Sequence, residues 1–206
     1  MIISSKLIKE EANRLGFEKV GIAKATATHN DQKNLEVWLN EGKQAGMDWI
    51  KKRKDERGNI QNYYPDAKSV ISVGMNYFTG KNQNDLESDY KFSNYAWGDD
   101  YHHVLKKKLF NLSKWLEKLC PGSKNIVCVD TSPIMEKVWA QRSGIGWIGK
   151  HTNLITREYG SWIFLGEIVS DIKLEYDIPF QDDLCGTCTA CIDECPTQAL
   201  TEYILD

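Results

Sequence analysis

The stretch Cys185-Gly186-Thr187-Cys188-Thr189-Ala190-Cys191-Ile192-Asp193-Glu194-Cys195-Pro196 spaces its cysteines as C-x2-C-x2-C-x3-C-P. That is the bacterial spacing for ligation of a 4Fe–4S cluster. Thiolates two or three residues apart reach one iron–sulfur cube from a single tight loop. Pro196, with no N–H and a fixed φ, stops the loop from running on as a helix. Structural zinc sites separate their cysteine pairs by roughly a dozen residues or more, and this run is too compressed for that. The motif therefore predicts transfer of single electrons. In two-cluster proteins the fourth cysteine of such a run serves the other cluster. Cys185, Cys188 and Cys191 then need a distant fourth ligand, and Cys195 needs partners elsewhere. The only other cysteines are Cys120 and Cys128, and the chain ends at Asp206. Either one of those two completes a single cluster, or the chain lacks a C-terminal part; the second is expected.

Working outward, 206 residues suit one large domain, or one domain with a small appendage. With 41% hydrophobic residues and seven Trp, the chain can bury a sizeable core. No segment is apolar for long enough to span a bilayer. Met1-Ile2-Ile3-Ser4-Ser5-Lys6 lacks the apolar centre of a signal peptide. Clustered cysteines of metal-site type without such a signal predict a cytoplasmic protein. A net charge of −3 argues against a generic nucleic-acid binder. Two basic runs, Lys51-Lys52-Arg53-Lys54 with Arg57 and Lys106-Lys107-Lys108, read either as solvated faces or as steering charges for a polyanion.

The periodicity predicts a helix over 5–15 stopped by Gly16, a strand over 17–23, and a helix capped by Asp31 and ended by Gly42. A buried strand follows over 69–75. Residues 79–100, polar and aromatic, read as a long loop of the kind that is usually functional or disordered. Leu105, Leu109, Leu112, Leu116 and Leu119 mark a helix over 101–119. A short strand over 125–129 precedes a helix starting at Pro133. Residues 152–156 and 161–169 read as two strands joined at Glu158-Tyr159-Gly160, and 171–184 as an acidic linker. This mixture of hairpins and helices predicts an α+β fold rather than a doubly wound sheet.

Gly144-Ile145-Gly146-Trp147-Ile148-Gly149-Lys150 matches a dinucleotide fingerprint by letter and nearly matches a P-loop. A helix precedes it and a β-like segment follows, the reverse of the required context, and His151 stands where a P-loop needs Ser or Thr. The glycines instead predict a turn lying close against a cofactor or another backbone. Asp130 sits where a strand runs toward a helix. It reads either as a helix-terminus carboxylate or as a proton donor or acceptor at a pocket rim, and the two settings pull its pKa in opposite directions. Tyr101-His102-His103 opens the Leu-rich helix, with Tyr101 near its apolar face. Glu136, with Trp139 and Arg142 on the next helix, is placed to pair with Lys150 or Arg142.

Five separated motifs, in order, resemble the epoxyqueuosine reductases: Tyr95 to His102, Val129 to Glu136, Ala140 to Lys150, Tyr159-Gly160-Ser161-Trp162, and the cysteine run continuing through Thr197-Gln198-Ala199-Leu200. The resemblance implies a cobalamin-dependent iron–sulfur enzyme that reduces the epoxide of epoxyqueuosine in tRNA to give queuosine. It implies a nitroreductase-like cobalamin-binding domain over 1–172 and part of a ferredoxin-like 4Fe–4S module over 173–206. By motif position Asp130 is the proton donor, and Arg57, Ser93, Asp130, Leu154 and Leu165 contact cobalamin. Cys185, Cys188, Cys191 and Cys195 are the cluster ligands. Family members continue into a second cysteine cluster, and usually into a helical-repeat domain that grips tRNA. The implied partners are tRNA carrying epoxyqueuosine and a reduced ferredoxin or flavodoxin, with no membrane and a monomeric state. Such chemistry fits the residues, since reductive opening of an epoxide needs electrons and a proton for the leaving oxygen, and cobalt supplies the electron chemistry. Two rival readings are a corrinoid-dependent reductase of a small molecule and a non-catalytic iron–sulfur electron carrier.

Overall fold

The structure, a computed structural model, describes residues 3–85, 87 and 89–206. Met1 and Ile2 of the N-terminal segment, and Leu86 and Ser88 of the long loop, lie outside the described residues. The chain order is α1 (Ser5–Arg14), β1 (Lys19–Lys24), α2 (His29–Asn40), α3 (Asp48–Lys52), α4 (Lys54–Gly58), α5 (Ile60–Tyr63), β2 (Ser69–Asn76), α6 (Tyr101–Leu119), β3 (Asn125–Cys128), α7 (Glu136–Arg142), β4 (Trp147–Ile148), β5 (Leu154–Ile155), β6 (Ile163–Ser170), α8 (Ala190–Asp193), β7 (Leu200–Thr201) and β8 (Ile204–Leu205). Among the described residues the central sheet runs β1-β2-β6-β3, with every neighbouring pair antiparallel. This is the mixed architecture that the pattern of hairpins and helices predicts.

The sheet is covered on both faces, and strand alternation decides what each face holds. One face carries Ile22, Ile71, Val73 and Ile168, packed under α1 and α6. Leu105, Leu109, Leu112 and Leu116 recur at helical spacing along α6, and all four are fully buried there. Burying each contributes about 2 kcal/mol. Asp100 caps α6 by accepting the His102 N–H at 2.9 Å. The opposite face carries Ala23, Val70, Cys128 and Val169 against Trp139 of α7 and Ile60 of α5. One row of that face, Gly21–Ser72–Glu167–Cys128, crosses all four strands in register. It brings a fully buried carboxyl, Glu167, into the core.

Several local expectations change. Helix α2 begins at His29, so Asp31 lies in its first turn rather than at its cap. Helix α7 begins at Glu136, not Pro133, because Thr131 and Ile134 close tight turns onto Val129 and Ser132. The glycine-rich run is itself one arm of a hairpin: Trp147 and Ile148 of β4 pair with Ile155 and Leu154 of β5. The strand expected over 152–156 thus shrinks to β5 and joins β4. The following β6 leaves it to enter the central sheet, after a turn closed by reciprocal Thr156 and Gly160 backbone hydrogen bonds. The contact that the glycines permit is with backbone: a Cβ on Gly146 would stand 2.1 Å from the Ile155 carbonyl oxygen. The acidic stretch after β6 is a strap. Leu174 is buried, Asp177 pairs with the Ile22 backbone and with Lys9, and the Phe180 N–H reaches the Gln141 carbonyl.

Two outcomes follow from this packing. Gly146→Ala is expected to lower stability by about 2 kcal/mol or more, because the added methyl meets backbone that has no rotamer to change; unfolding in urea measures it, and a loss near zero would contradict the close approach. Among the described residues neither Glu167 oxygen has a hydrogen-bond partner, and desolvation pushes its pKa well above the usual 4.5. The folded state therefore holds a proton that the unfolded chain releases. Stability is full below pH 4.5 and declines as pH rises toward the folded value, by ~1.4 kcal/mol per pH unit. Glu167→Gln is expected to remove that decline, so the variant gains on the native protein between pH 5 and pH 8; an equal difference at both pH values would contradict it.

Candidate active site

Where β2 ends and β6 begins, an open cleft of about 260 Å³ lies between the start of α6, the start of α7 and the β4–β5 hairpin. Its wall is aromatic. Tyr101 stacks on Phe164 with ring centroids 4.2 Å apart, and Tyr77 packs on the same ring at 4.5 Å. Leu154 and Leu165 line the cleft, as does Tyr95, and Lys137, Asn153 and Ser161 give it a polar edge. His151 orders that edge: its Nδ1 accepts the Asn153 N–H at 3.1 Å, and its Nε2 lies 3.1 Å from the Ser161 hydroxyl. Burial lowers the pKa of His151, which favours its neutral ring.

Asp130 follows β3 and adjoins this wall through its neighbours. Its carboxylate lies 3.3 Å from His102 Nε2, next to Tyr101, and its backbone meets Glu136, next to Lys137. More than half of its side chain is exposed. Asp130 has a φ of 57°, in the left-handed region that a side chain disfavours by about 1 kcal/mol. Its N–H donates to the Glu136 carboxylate at 2.5 Å, a charge-assisted bond that holds the turn. Asp130 is therefore not the cap of the helix, which starts six residues later. Glu136 faces Asp130 rather than Lys150 or Arg142: Lys150 pairs with Glu202 at 2.7 Å, and Arg142 donates to Thr26.

The electrostatics favour proton exchange at this rim. His102 bridges two carboxylates, with Nδ1 2.7 Å from Asp100. Partial burial opposes its charge, but the bonds to Asp100 and Asp130 outweigh burial and raise its pKa. Burial, reinforced by Asp130 and Glu136, pushes the Tyr101 phenol up to about 12, so it remains a neutral donor. Burial and then the Asp130 charge push Glu136 up to about 7, against the bond from the Asp130 N–H and the charges of Lys137 and Arg57.

The other expected cofactor residues divide. Leu154 and Leu165 come together in the cleft. Arg57 stands behind the 130–136 turn, its Nη1 donating to the Ile134 carbonyl at 3.2 Å and its guanidinium 5.4 Å from the Trp49 ring centre. Its buried Nε has no hydrogen-bond partner among the described residues. Ser93 is exposed at the start of the short turn that carries Tyr95. Neither residue lines the cleft. An apolar, aromatic wall with an amide-binding edge suits a flat macrocycle with amide substituents, so the donor set fits a corrin.

Cys185, Cys188, Cys191 and Cys195 are free thiols, Cys191 within α8 and the others on the turns that flank it. The Thr197 hydroxyl, then the backbone N–H groups of Leu200, Thr197 and Ala199, lower the Cys195 pKa and favour the thiolate that iron requires. Among the described residues no three such side chains are already gathered as a metal would gather them. Cys128 is fully buried in the core, packed with Ile134 and Trp139, and desolvation pushes its thiol up to about 12.

Sequence reasoning missed Tyr77, Phe164, Lys137 and Glu167. A signal existed for Glu167, the single charge inside the apolar run Ile163 to Val169. No comparable signal marks Tyr77 and Phe164, which the β2–β6 register brings together.

Residues 57–131 match the family model described as epoxyqueuosine reductase QueG, DUF1730. The epoxyqueuosine reductase of Synechocystis sp. is 48% identical over 190 residues, covering 91% of this chain and 65% of that protein. That of Atelocyanobacterium thalassa is 44% identical over 210 residues, covering 100% and 67%. The chain thus spans about two thirds of the length of the curated relatives it matches. The structure of epoxyqueuosine reductase from Streptococcus thermophilus superposes with a TM-score of 0.86 at 32% identity, over 97% of this chain and 54% of that one. A reductive dehalogenase at 14% identity and a TM-score of 0.63, over 97% of this chain and 27% of its own, shares the fold alone. With relatives of this similarity along its whole length, the chain belongs to the epoxyqueuosine reductase family.

Proposed function

We propose that this chain forms the catalytic part of an enzyme that reduces the epoxide of epoxyqueuosine in tRNA to queuosine. The observation that carries the reading is Asp130, a carboxylate bridged to His102 on a strained turn beside an apolar aromatic cleft, in a chain of this family. One relative, 29% identical with a TM-score of 0.86 over 97% of this chain and 54% of its own, holds a tRNA-Tyr stem loop modified with epoxyqueuosine, which supports tRNA as the substrate. Another, from Bacillus subtilis and 27% identical, has a catalytic loop bearing an aspartate swung out of its active site. That supports an acid carried on a movable turn. A structural neighbour of the same fold is described as performing B12-dependent dehalogenation, which supports a corrinoid.

In this reading Leu154 and Leu165 would help hold the corrin, and Tyr77, Tyr101 and Phe164 would exclude water from the cleft. Ser93 and Arg57 act from the loop and from behind the Asp130 turn. Cobalamin, when bound, supplies low-potential electrons, drawn from 4Fe–4S clusters whose ligands include Cys185, Cys188, Cys191 and Cys195. Removing the epoxide oxygen to leave an alkene consumes two electrons and two protons, breaks both C–O bonds and releases water. Asp130 delivers a proton to the oxygen as the first C–O bond breaks and, reloaded through His102, which holds the carboxyl in place, a second as the other bond breaks and water leaves. The body over 1–172 is nitroreductase-like and 173–206 is ferredoxin-like in this reading, which also has a reduced ferredoxin or flavodoxin as donor, a monomer and a cytoplasmic setting. No helix among the described residues is long and apolar enough to cross a membrane.

Anaerobic turnover of an epoxyqueuosine-modified stem loop by the reconstituted protein tests the proposal. Asp130→Asn is expected to lower kcat by about 100-fold or more with KM little changed, since the amide has no proton to give. Turnover like that of the native protein would contradict the acid role.

A further inference from the structure

Behind Asp130 lies a polar site that the chemistry above does not use. Glu167 is fully buried in the middle of β6, and neither carboxyl oxygen has a partner among the described residues. Ser72, directly across the β2 ladder, is equally buried, and among the same residues its hydroxyl has none either. Cys128, across the other ladder, ends the strand that leads through Val129 to Asp130. Glu136 opens α7 above this row and interacts electrostatically with Glu167. An ionised carboxylate with no donor is too costly in such a setting, so Glu167 is held neutral. The two carboxyls then carry at most one negative charge, and it resides on Glu136. There it meets the Asp130 N–H, with Arg57 and Lys137 nearby.

We infer that Glu136 is the positioning residue of the proton donor: its ionised carboxylate latches the left-handed turn that presents Asp130, and the neutral Glu167 beneath confines the charge to that one carboxyl. The inference rests on the acid role proposed for Asp130. Within the turn, the Thr131 and Ile134 N–H groups are satisfied locally, leaving the Asp130 N–H to Glu136. Protonation of Glu136 weakens its acceptor and loosens the latch. The groups that face Glu136 are Asp130 and Cys128 from the β3 end, Arg57 from α4, Tyr101 from α6, Lys137 on its own helix and Glu167 from β6. Burial and the Asp130 charge set its titration at about 7, so the latch tightens as pH rises from 6 to 8.

Hydrogen exchange of the 129–135 segment, corrected for the intrinsic rate, reads the latch without any cofactor. The native protein is expected to gain protection of the Asp130 amide between pH 6 and pH 8. Glu136→Gln, which keeps an acceptor oxygen but cannot charge, is expected to flatten that profile, and Glu136→Ala to lose about tenfold or more of the protection at pH 8. In the reconstituted enzyme Glu136→Ala is expected to lower kcat about tenfold or more with KM little changed, since a misplaced acid costs rate rather than binding. A pH profile in Glu136→Gln that matches the native one, or protection in Glu136→Ala within about twofold of native, would overturn the inference. Asp130→Asn measured alongside separates the two readings: native-like turnover there removes the acid role, while the exchange profile still decides whether Glu136 holds the turn.

Discussion

Strand β6 is hydrogen-bonded along both edges, to β2 through eight residue pairs and to β3 through four, and is covered on both faces. Its alternation fixes what every neighbouring element meets. Phe164, Gly166 and Ile168 look toward α6; a Cβ on Gly166 would come within 2.8 Å of the Leu109 side chain, which would have to shift. Leu165, Glu167 and Val169 look toward α7 and the hairpin. A slip of one residue would exchange the two sets, burying Phe164 where Leu165 now lines the cleft. The cleft wall, the buried carboxyl and the exit of β3 toward Asp130 all depend on this one register.

The free energy of the core and the chemistry of the site are separated along that strand. Toward Ser170 the sheet is apolar on both faces at the fully buried Val169 and Ile168, before it ends in a polar row of Ser69, Ser170 and Asn125. Toward Ile163 it opens to aromatic rings and polar edges, where the backbone takes a left-handed residue at Asp130 and another at Thr152 in the hairpin turn. Unfavourable features of this kind persist only where surrounding packing over-determines them. Here α6 and α7 are both anchored, by the buried Leu row and by Trp139, and their first turns supply His102 and Glu136 to the same aspartate. The rigid sheet thus carries a turn whose hold depends on one charged hydrogen bond.

Much of this arrangement was legible in the sequence. The Leu spacing of α6 and the apolar run of β2 announced their elements, because burial imposes a period on both. The 129–136 motif marked Asp130, and Leu154 and Leu165, which the resemblance named as cobalamin contacts, both line the cleft. What the letters hid is pairing over long sequence distance. The glycine run gave no sign that Trp147 and Ile148 would pair with β5, leaving β6 free to join β2, since turn composition sets a turn and not its partners. The start of α7 was displaced because tight turns at Thr131 and Ile134 used the residues before it. Glu167 stood out by charge, but only the register across Ser72 and Cys128 shows how thoroughly it is enclosed.

In the proposed reading the cleft beside Asp130 receives a corrin. An anaerobic titration of the protein with cobalamin, followed by visible absorption, measures this. Saturable one-to-one binding by the native protein is expected, with binding about tenfold weaker or worse by Leu165→Trp, which fills part of the cleft. No spectral change with the native protein, or equal binding by a folded Leu165→Trp, would contradict it.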